Sequence, residues 1–143
     1  MQLSDLIELA HRQAHREWGQ NGARQGLTHS EFEYLSAIKE QEARQVASDD
    51  HGQHLHDVVT EMGVKKASAS AMVQKLEERG LVERVPCQYD ARAQHILLTS
   101  DGQALLRRGR QIYRSAAEAI LRDWTPEQRT ALIAALEKLG PAR

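Results

Sequence analysis

A mainly α-helical fold with one small β-hairpin, in which a helix-turn-helix runs directly into the hairpin, is what this sequence predicts. Three observations carry the expectation. Ala69, Met72, Val73 and Leu76 recur at i, i+3, i+4 and i+7, which places one apolar stripe along a helix. Gly80 follows that stripe, and glycine takes the left-handed conformation at a helix C-terminus without steric cost. Beyond it, Leu81-Val82-Glu83-Arg84-Val85 and Ile96-Leu97-Leu98-Thr99 are short β-branched and leucine-rich runs, parted by a polar turn from Pro86 to Arg92 in the pattern of a hairpin. Sparse aromatics with abundant Ala, Leu, Glu, Arg and Gln agree with a helical chain.

At the start of the chain, Leu3, Leu6, Ile7, Ala10, Ala14 and Trp18 share one helical face, giving an amphipathic first helix that ends near Gly19 to Gly22. Thr28-x-x-Glu31 is a capping box, in which each side chain satisfies the other residue's backbone N–H. Leu27 and Phe32 stand in the positions of a hydrophobic staple, so a second helix starts here and runs through Leu35 and Ile38 to about Val46. Ser48 to Gln53 reads as a polar loop rich in Asp and His. Leu55, Val58, Val59 and Met62 mark a short helix, and Gly63 turns the chain into the striped helix, which completes a helix-turn-helix.

After the hairpin, Ser100 or Asp101 starts a long helix with the stripe Leu105, Ile112, Tyr113, Ala116, Ile120 and Trp124. Thr125 as N-cap, Pro126 at the first position and Gln128 at the third open the last helix. Its apolar face is Leu132, Ile133, Leu136 and Leu139, and Gly140-Pro141 ends it.

The chain has 143 residues, the length of one domain, with 19 Lys and Arg against 20 Asp and Glu for a net charge of -1. Binding to nucleic acid then requires segregated charge, and Lys65, Lys66, Lys75, Arg84 and Arg92 form such a local patch. One cysteine excludes an intrachain disulfide. No apolar run approaches membrane length, and Asp5 and Glu8 stand where a signal peptide needs basic and then apolar residues, so a cytoplasmic chain without membrane contact is expected.

Asp90-x-Arg92-x-x-x-Ile96-x-Leu98-Thr99-x-x-Gly102, preceded by Leu76-Glu77-Glu78-Arg79-Gly80-Leu81-Val82, resembles the MarR family of bacterial transcriptional regulators. The likeness extends more weakly over almost the whole chain. It implies a single domain over residues 1–143, with a winged helix DNA-binding unit at 28–100 and dimerisation helices in 1–27 and 101–143. It also implies a homodimeric winged helix-turn-helix repressor, without a cofactor, that binds a pseudo-palindromic operator in double-stranded DNA. A small ligand, metal or oxidant would release it. The apolar stripes point the same way, because the winged unit cannot cover the first helix and the last two at once; a second copy of the chain covers them. The alternative is a monomer in which the three helices pack on one another.

In a helix-turn-helix the second helix enters the major groove and its N-terminal residues meet base edges. Lys65, Lys66, Ser68, Ser70, Gln74 and Lys75 are the candidates here, with Ala67 and Ala71 for thymine methyls. Arg84 and Arg92, expected on the two strands near the hairpin tip, suit phosphate or a narrow minor groove. The family pattern implies that Arg92 reaches the minor groove while Asp90 pairs with a neighbouring arginine to hold the wing. No arginine precedes Arg79 on this helix face, and Lys65 stands where the family commonly has a Ser or Thr N-cap. A lysine there works against the helix macrodipole, a cost that a nearby phosphate relieves. An ordinary solvated helix face is the bland alternative.

Three sensing devices are open. Cys87, expected exposed in the wing turn beside Arg84 or Arg92, is either an oxidant-sensitive thiol or a surface cysteine with no role. His51, His54 and His56 cluster with Asp49 and Asp50, and His11 and His15 are i, i+4; imidazole and carboxylate suit zinc or another transition metal, although a His-rich loop is often only solvated. The resemblance further implies a pocket for a small aromatic effector, with His11, Arg16, Trp18 and Tyr34 as candidate lining residues. Two readings compete with the regulator: a metal-dependent enzyme using the His/Asp cluster, and a winged helix that binds protein. No HExxH, nucleophile elbow or phosphate-binding glycine loop occurs, so an enzyme is not expected.

Overall fold

A computed structural model describes residues 2–48, 54–87, 89 and 91–140, with the backbone alone for 44–48. Of the polar loop expected from Ser48 to Gln53, Ser48 instead ends a helix, and the rest, with Asp49, Asp50 and His51, lies outside the described residues, as do Asp90 and Pro141. Helix α1 (Leu3–Asn21) leads through a short 3-10 turn at Ala23–Gln25 into α2 (His29–Ser48). Helices α3 (Leu55–Met62) and α4 (Lys66–Glu78) form the helix-turn-helix, strands β1 (Val82–Pro86) and β2 (Gln94–Leu98) the wing, and α5 (Ser100–Ile120) and α6 (Pro126–Leu136) the C-terminal part. The fold is thus mainly helical with a two-stranded antiparallel hairpin, in which Val82 faces Leu98 and Pro86 faces Gln94.

Each boundary has a local cause. The Glu31 N–H donates to Thr28 Oγ1 at 3.1 Å and the Thr28 N–H to Glu31 Oε1 at 3.2 Å, closing the capping box at α2. Gly80, at φ 71°, takes the left-handed turn after α4 that a side chain would resist. Thr99 then locks the start of α5 to that turn. Its hydroxyl donates to the Gly80 carbonyl at 2.6 Å and accepts from the Gly102 N–H at 3.0 Å, while its backbone N–H donates to the Leu81 carbonyl at 3.1 Å. Gly102 is needed there because a Cβ would stand 2.0 Å from the Leu81 carbonyl oxygen. The Thr99-x-x-Gly102 spacing is therefore the joint between wing and α5.

The core lies where α2, α3, α4 and β2 meet, around Leu35, Ile38, Val58, Val73, Leu76 and Ile96. Helix α1 packs along α5, but only Trp18 of its stripe is buried, while Leu3 and Ile7 stay exposed. The long-helix stripe stops short of expectation. α5 ends at Ile120, so Trp124 falls outside it and is exposed. Arg129 holds α6 to that end, donating to the Leu121 carbonyl at 2.6 Å and pairing with Glu118 at 2.8 Å. Ile133, Leu136 and Leu139 on α6 and its following turn all face solvent. Among the described residues no helix is long and apolar enough to cross a membrane.

Candidate functional site

The start of α4 carries two lysines and no side-chain cap. Lys65 is its N-cap residue and supplies no side-chain cap, and the first turn carries no acid to complement the dipole. Lys65, Lys66, Ala67 and Ser68 are exposed, while Ser70 is half-buried. The opposite face, Ala69, Val73 and Leu76, is buried, so core packing turns the lysines outward. Arg92 is exposed as well, but it sits in the hairpin turn rather than on a strand, because pairing ends at Pro86 and Gln94.

Arg84 and Lys75 have intramolecular partners. Arg84 Nε donates to Glu77 Oε2 at 3.1 Å, which ties β1 to α4. Lys75 Nζ lies 3.8 Å from Glu31 Oε1, on the side of α4 that faces α2. Gln74 donates to Glu78 at 3.2 Å along the helix surface.

Glu31 is the centre of this scaffold, with only 3% of its surface exposed. One of its carboxylate oxygens takes Nη1 of Arg79 at the end of α4, and Arg79 Nη2 donates to the Gly26 carbonyl at 2.6 Å. Burial acts to raise the Glu31 pKa, but the Thr28 hydrogen bonds and the Arg79 charge outweigh it and hold the carboxyl below its ordinary value. The capping pattern revealed Glu31 in the sequence; nothing in it indicated that the same carboxylate would reach Arg79, 48 residues away.

A second feature is a cleft of about 980 Å³ between α1, α5 and the α1–α2 turn. His11 and Trp18 line it, together with His15, His29, Tyr113 and Ile120. Arg16 and Tyr34 do not: Arg16 is exposed on α1 outside the lining, and Tyr34 is buried in the core with 4% exposure. Trp18 lies 5.2 Å from Phe32 and 6.0 Å from Tyr113 between ring centroids, and the Tyr113 hydroxyl is 2.9 Å from His29 Nε2. Burial pushes the Tyr113 and Tyr34 phenols above their ordinary value, and the Glu33 carboxylate adds to both.

The cysteine departs from expectation. Cys87 is buried, at 5% exposure, and its N–H donates to the Ala93 carbonyl at 3.1 Å across the base of the turn. Among the histidines, His56 is exposed on α3, whereas His54 comes together with Cys87 and His95. His95 was passed over in the sequence, although a hairpin closing beside Pro86 brings residues 87 and 95 close across the turn.

A sequence model described as MarR family matches residues 25–93. The chain is similar to the reduced form of MarR from E. coli, at 20% identity over 99% of this chain and 98% of that one, with a TM-score of 0.71. It is also similar to BpsR of Bordetella bronchiseptica, described for regulation of its DNA binding by 6-hydroxynicotinic acid, at 22% identity over 99% and 100% of the two chains and a TM-score of 0.61. A mutant MarR from E. coli complexed with operator DNA gives 20% identity, 97% and 94% coverage and a TM-score of 0.62.

Proposed function

Residues 25–93 of this chain belong to the MarR family, and from that premise we propose that the protein is a homodimeric, sequence-specific double-stranded DNA-binding repressor, released from its operator by a small ligand. The observation that carries the reading is the start of α4. Exposed Lys65, Lys66 and Ser68 surround uncapped amides there, and Arg92 is exposed in the wing turn, all in a chain of net charge -1. Positive charge concentrated on one helix end and one hairpin is what a groove and its flanking phosphates select. Gln74, Ser70, Lys75 and Arg84 stand second to Lys65, Lys66 and Ser68, since their side chains are partly buried or engaged within the protein.

Exposed apolar residues on α1 and α6 supply a surface that a second copy would cover, giving the two recognition helices a pseudo-palindromic operator to read. The α1–α5 cleft suits a small aromatic effector: Trp18 and Tyr113 offer ring faces, and His29 and His15 offer hydrogen bonds to a polar edge. Its walls belong to the helices assigned to the dimer, so a ligand wedged there would alter the separation of the two α4 helices.

Footprinting on the duplex upstream of the protein's own gene tests this. Protection of an inverted repeat with half-sites about 10 bp apart, or a small multiple, is expected. Absence of any duplex binding at low ionic strength, where phosphate contacts are strongest, overturns the reading.

A further inference from the structure

We propose that His54, Cys87 and His95 form a binding site for a thiophilic divalent transition metal, with zinc as the chemically favoured occupant, and that the ion fastens the wing to the first helix of the helix-turn-helix. One ligand atom from each residue lies within 4.8 Å of the other two. Three separate segments supply them: His54 is the N-cap of α3, Cys87 follows β1 directly, and His95 lies on β2 opposite Val85. Cys87 is buried and both histidines are half-buried, their Nε2 atoms screened from solvent and their rings edge-to-face at 4.8 Å.

The donor set decides the metal class. One sulfur with two imidazoles selects a borderline or soft ion over Mg²⁺ or Ca²⁺, which want oxygen. Around a tetrahedral zinc with ligands at about 2.0 to 2.3 Å, donor atoms stand roughly 3.3 to 3.7 Å apart, so closing by about an ångström completes the triangle. The fourth position is left to water. On binding, the Cys87 thiol loses its proton to solvent as the sulfur–metal bond forms. Asp57 is placed to orient one ligand, since its Oδ2 accepts the His54 backbone N–H at 2.8 Å and lies 3.7 Å from His54 Nδ1.

Occupancy joins α3 to both wing strands, so the wing and the helix-turn-helix would move as one piece. The consequence for duplex affinity rests on the function proposed above; coordination itself does not.

The test uses tag-free, chelator-treated full-length protein without DNA. Cobalt(II) titration is expected to give one ion per chain with a thiolate-to-cobalt charge-transfer band, displaced by zinc. Cys87→Ser should abolish the band, and His95→Ala should weaken zinc binding by more than roughly 100-fold, beyond the loss typical of an outer-shell change. The His11→Ala/His15→Ala double variant should bind as the unaltered protein does. Because the chain has one cysteine, alkylation of the unaltered protein reads this site without any mutation: zinc should slow modification of Cys87. Cobalt bound without a thiolate band, or alkylation at the same rate with and without zinc, overturns the assignment.

Discussion

Glu31 and Arg79 are joined by a charge-assisted hydrogen bond that ties the first turn of α2 to the end of α4. The carboxylate is buried and the guanidinium also donates to the Gly26 carbonyl at 2.6 Å, so one pair fixes three segments. Lys75 and Arg79 are one helical turn apart, and both are directed at Glu31. The buried acid thus acts with the packed Ala69, Val73 and Leu76 face to fix the rotation of α4 about its axis, and with it the direction in which Lys65 and Lys66 point.

Arg79→Ala should destabilise the fold by about 2–3 kcal/mol, because a buried carboxylate loses its main partner while Thr28 and Lys75 remain to compensate in part. Glu31→Gln should cost less, since a neutral amide needs no counter-charge. Urea unfolding at neutral pH measures both. Equal stability of Arg79→Ala and the unaltered chain would mean that the pair contributes nothing.

The same carboxylate gives a pH dependence. Its pKa in the folded protein lies below the ordinary value near 4.5, so the unfolded chain binds the proton more readily. The stabilisation is therefore complete above about 4.5 and is lost as the pH falls through the lower folded value. The stability gap between the unaltered protein and Glu31→Gln should be constant from neutral down to about pH 5, then narrow. A gap that widens on acidification contradicts this.

What could be read from the sequence divides along the same line. The helices, the capping boxes at Thr28 and Thr125 and the hairpin are local patterns, and apart from the early end of α5 before Trp124 and the shorter strands that leave Arg92 in the turn they stand where periodicity and turn chemistry put them. Contacts between distant segments were not legible. The capping box gave no sign that Glu31 would meet Arg79, and Cys87 was expected in solvent because a polar turn does not reveal which residue is drawn inward. Tyr34 was misplaced for the opposite reason: an aromatic on a helix fits a cleft or a core equally well, and only packing decides between them.

Gly102→Ala should lower stability by about 2 kcal/mol, since the new Cβ meets the rigid Leu81 carbonyl 2.0 Å away and gains only a modest helix-propensity benefit in return. Gly19→Ala, within α1 and with nothing within 4 Å of the added carbon, is the matched control. It should be neutral or stabilising by roughly 0.5–1 kcal/mol. Thermal unfolding of the pair separates a close approach from general glycine effects.

Lys66→Ala and Arg92→Ala should each weaken duplex binding on all sequences and reduce the salt dependence of affinity by about one unit of slope, as expected for the loss of a phosphate contact. Ser68→Ala should change the preference among operator variants more than the salt slope. Lys66 is exposed at the helix start, so the melting temperature of Lys66→Ala should not move. Gel shifts at several salt concentrations make the measurement; an unchanged slope in both cationic variants removes the α4–wing surface from the interface.

Leu136→Asp should convert a dimer into a monomer. Leu136 and Leu139 are 51% and 76% exposed on α6 and its following turn, and Leu3 and Ile7 are 71% and 60% exposed on α1, more apolar surface than a lone chain has reason to show. Within one copy, replacing Leu136 removes little buried area, so the isolated fold should survive. Across a symmetric interface the change appears twice, and each unpaired carboxylate would cost several kcal/mol if buried. Sedimentation at micromolar concentration should therefore show dimer for the unaltered chain and monomer for the variant, with unchanged helical content by circular dichroism. A variant that stays dimeric with equal affinity places the interface elsewhere, and the exposed face of α6 then has some other use.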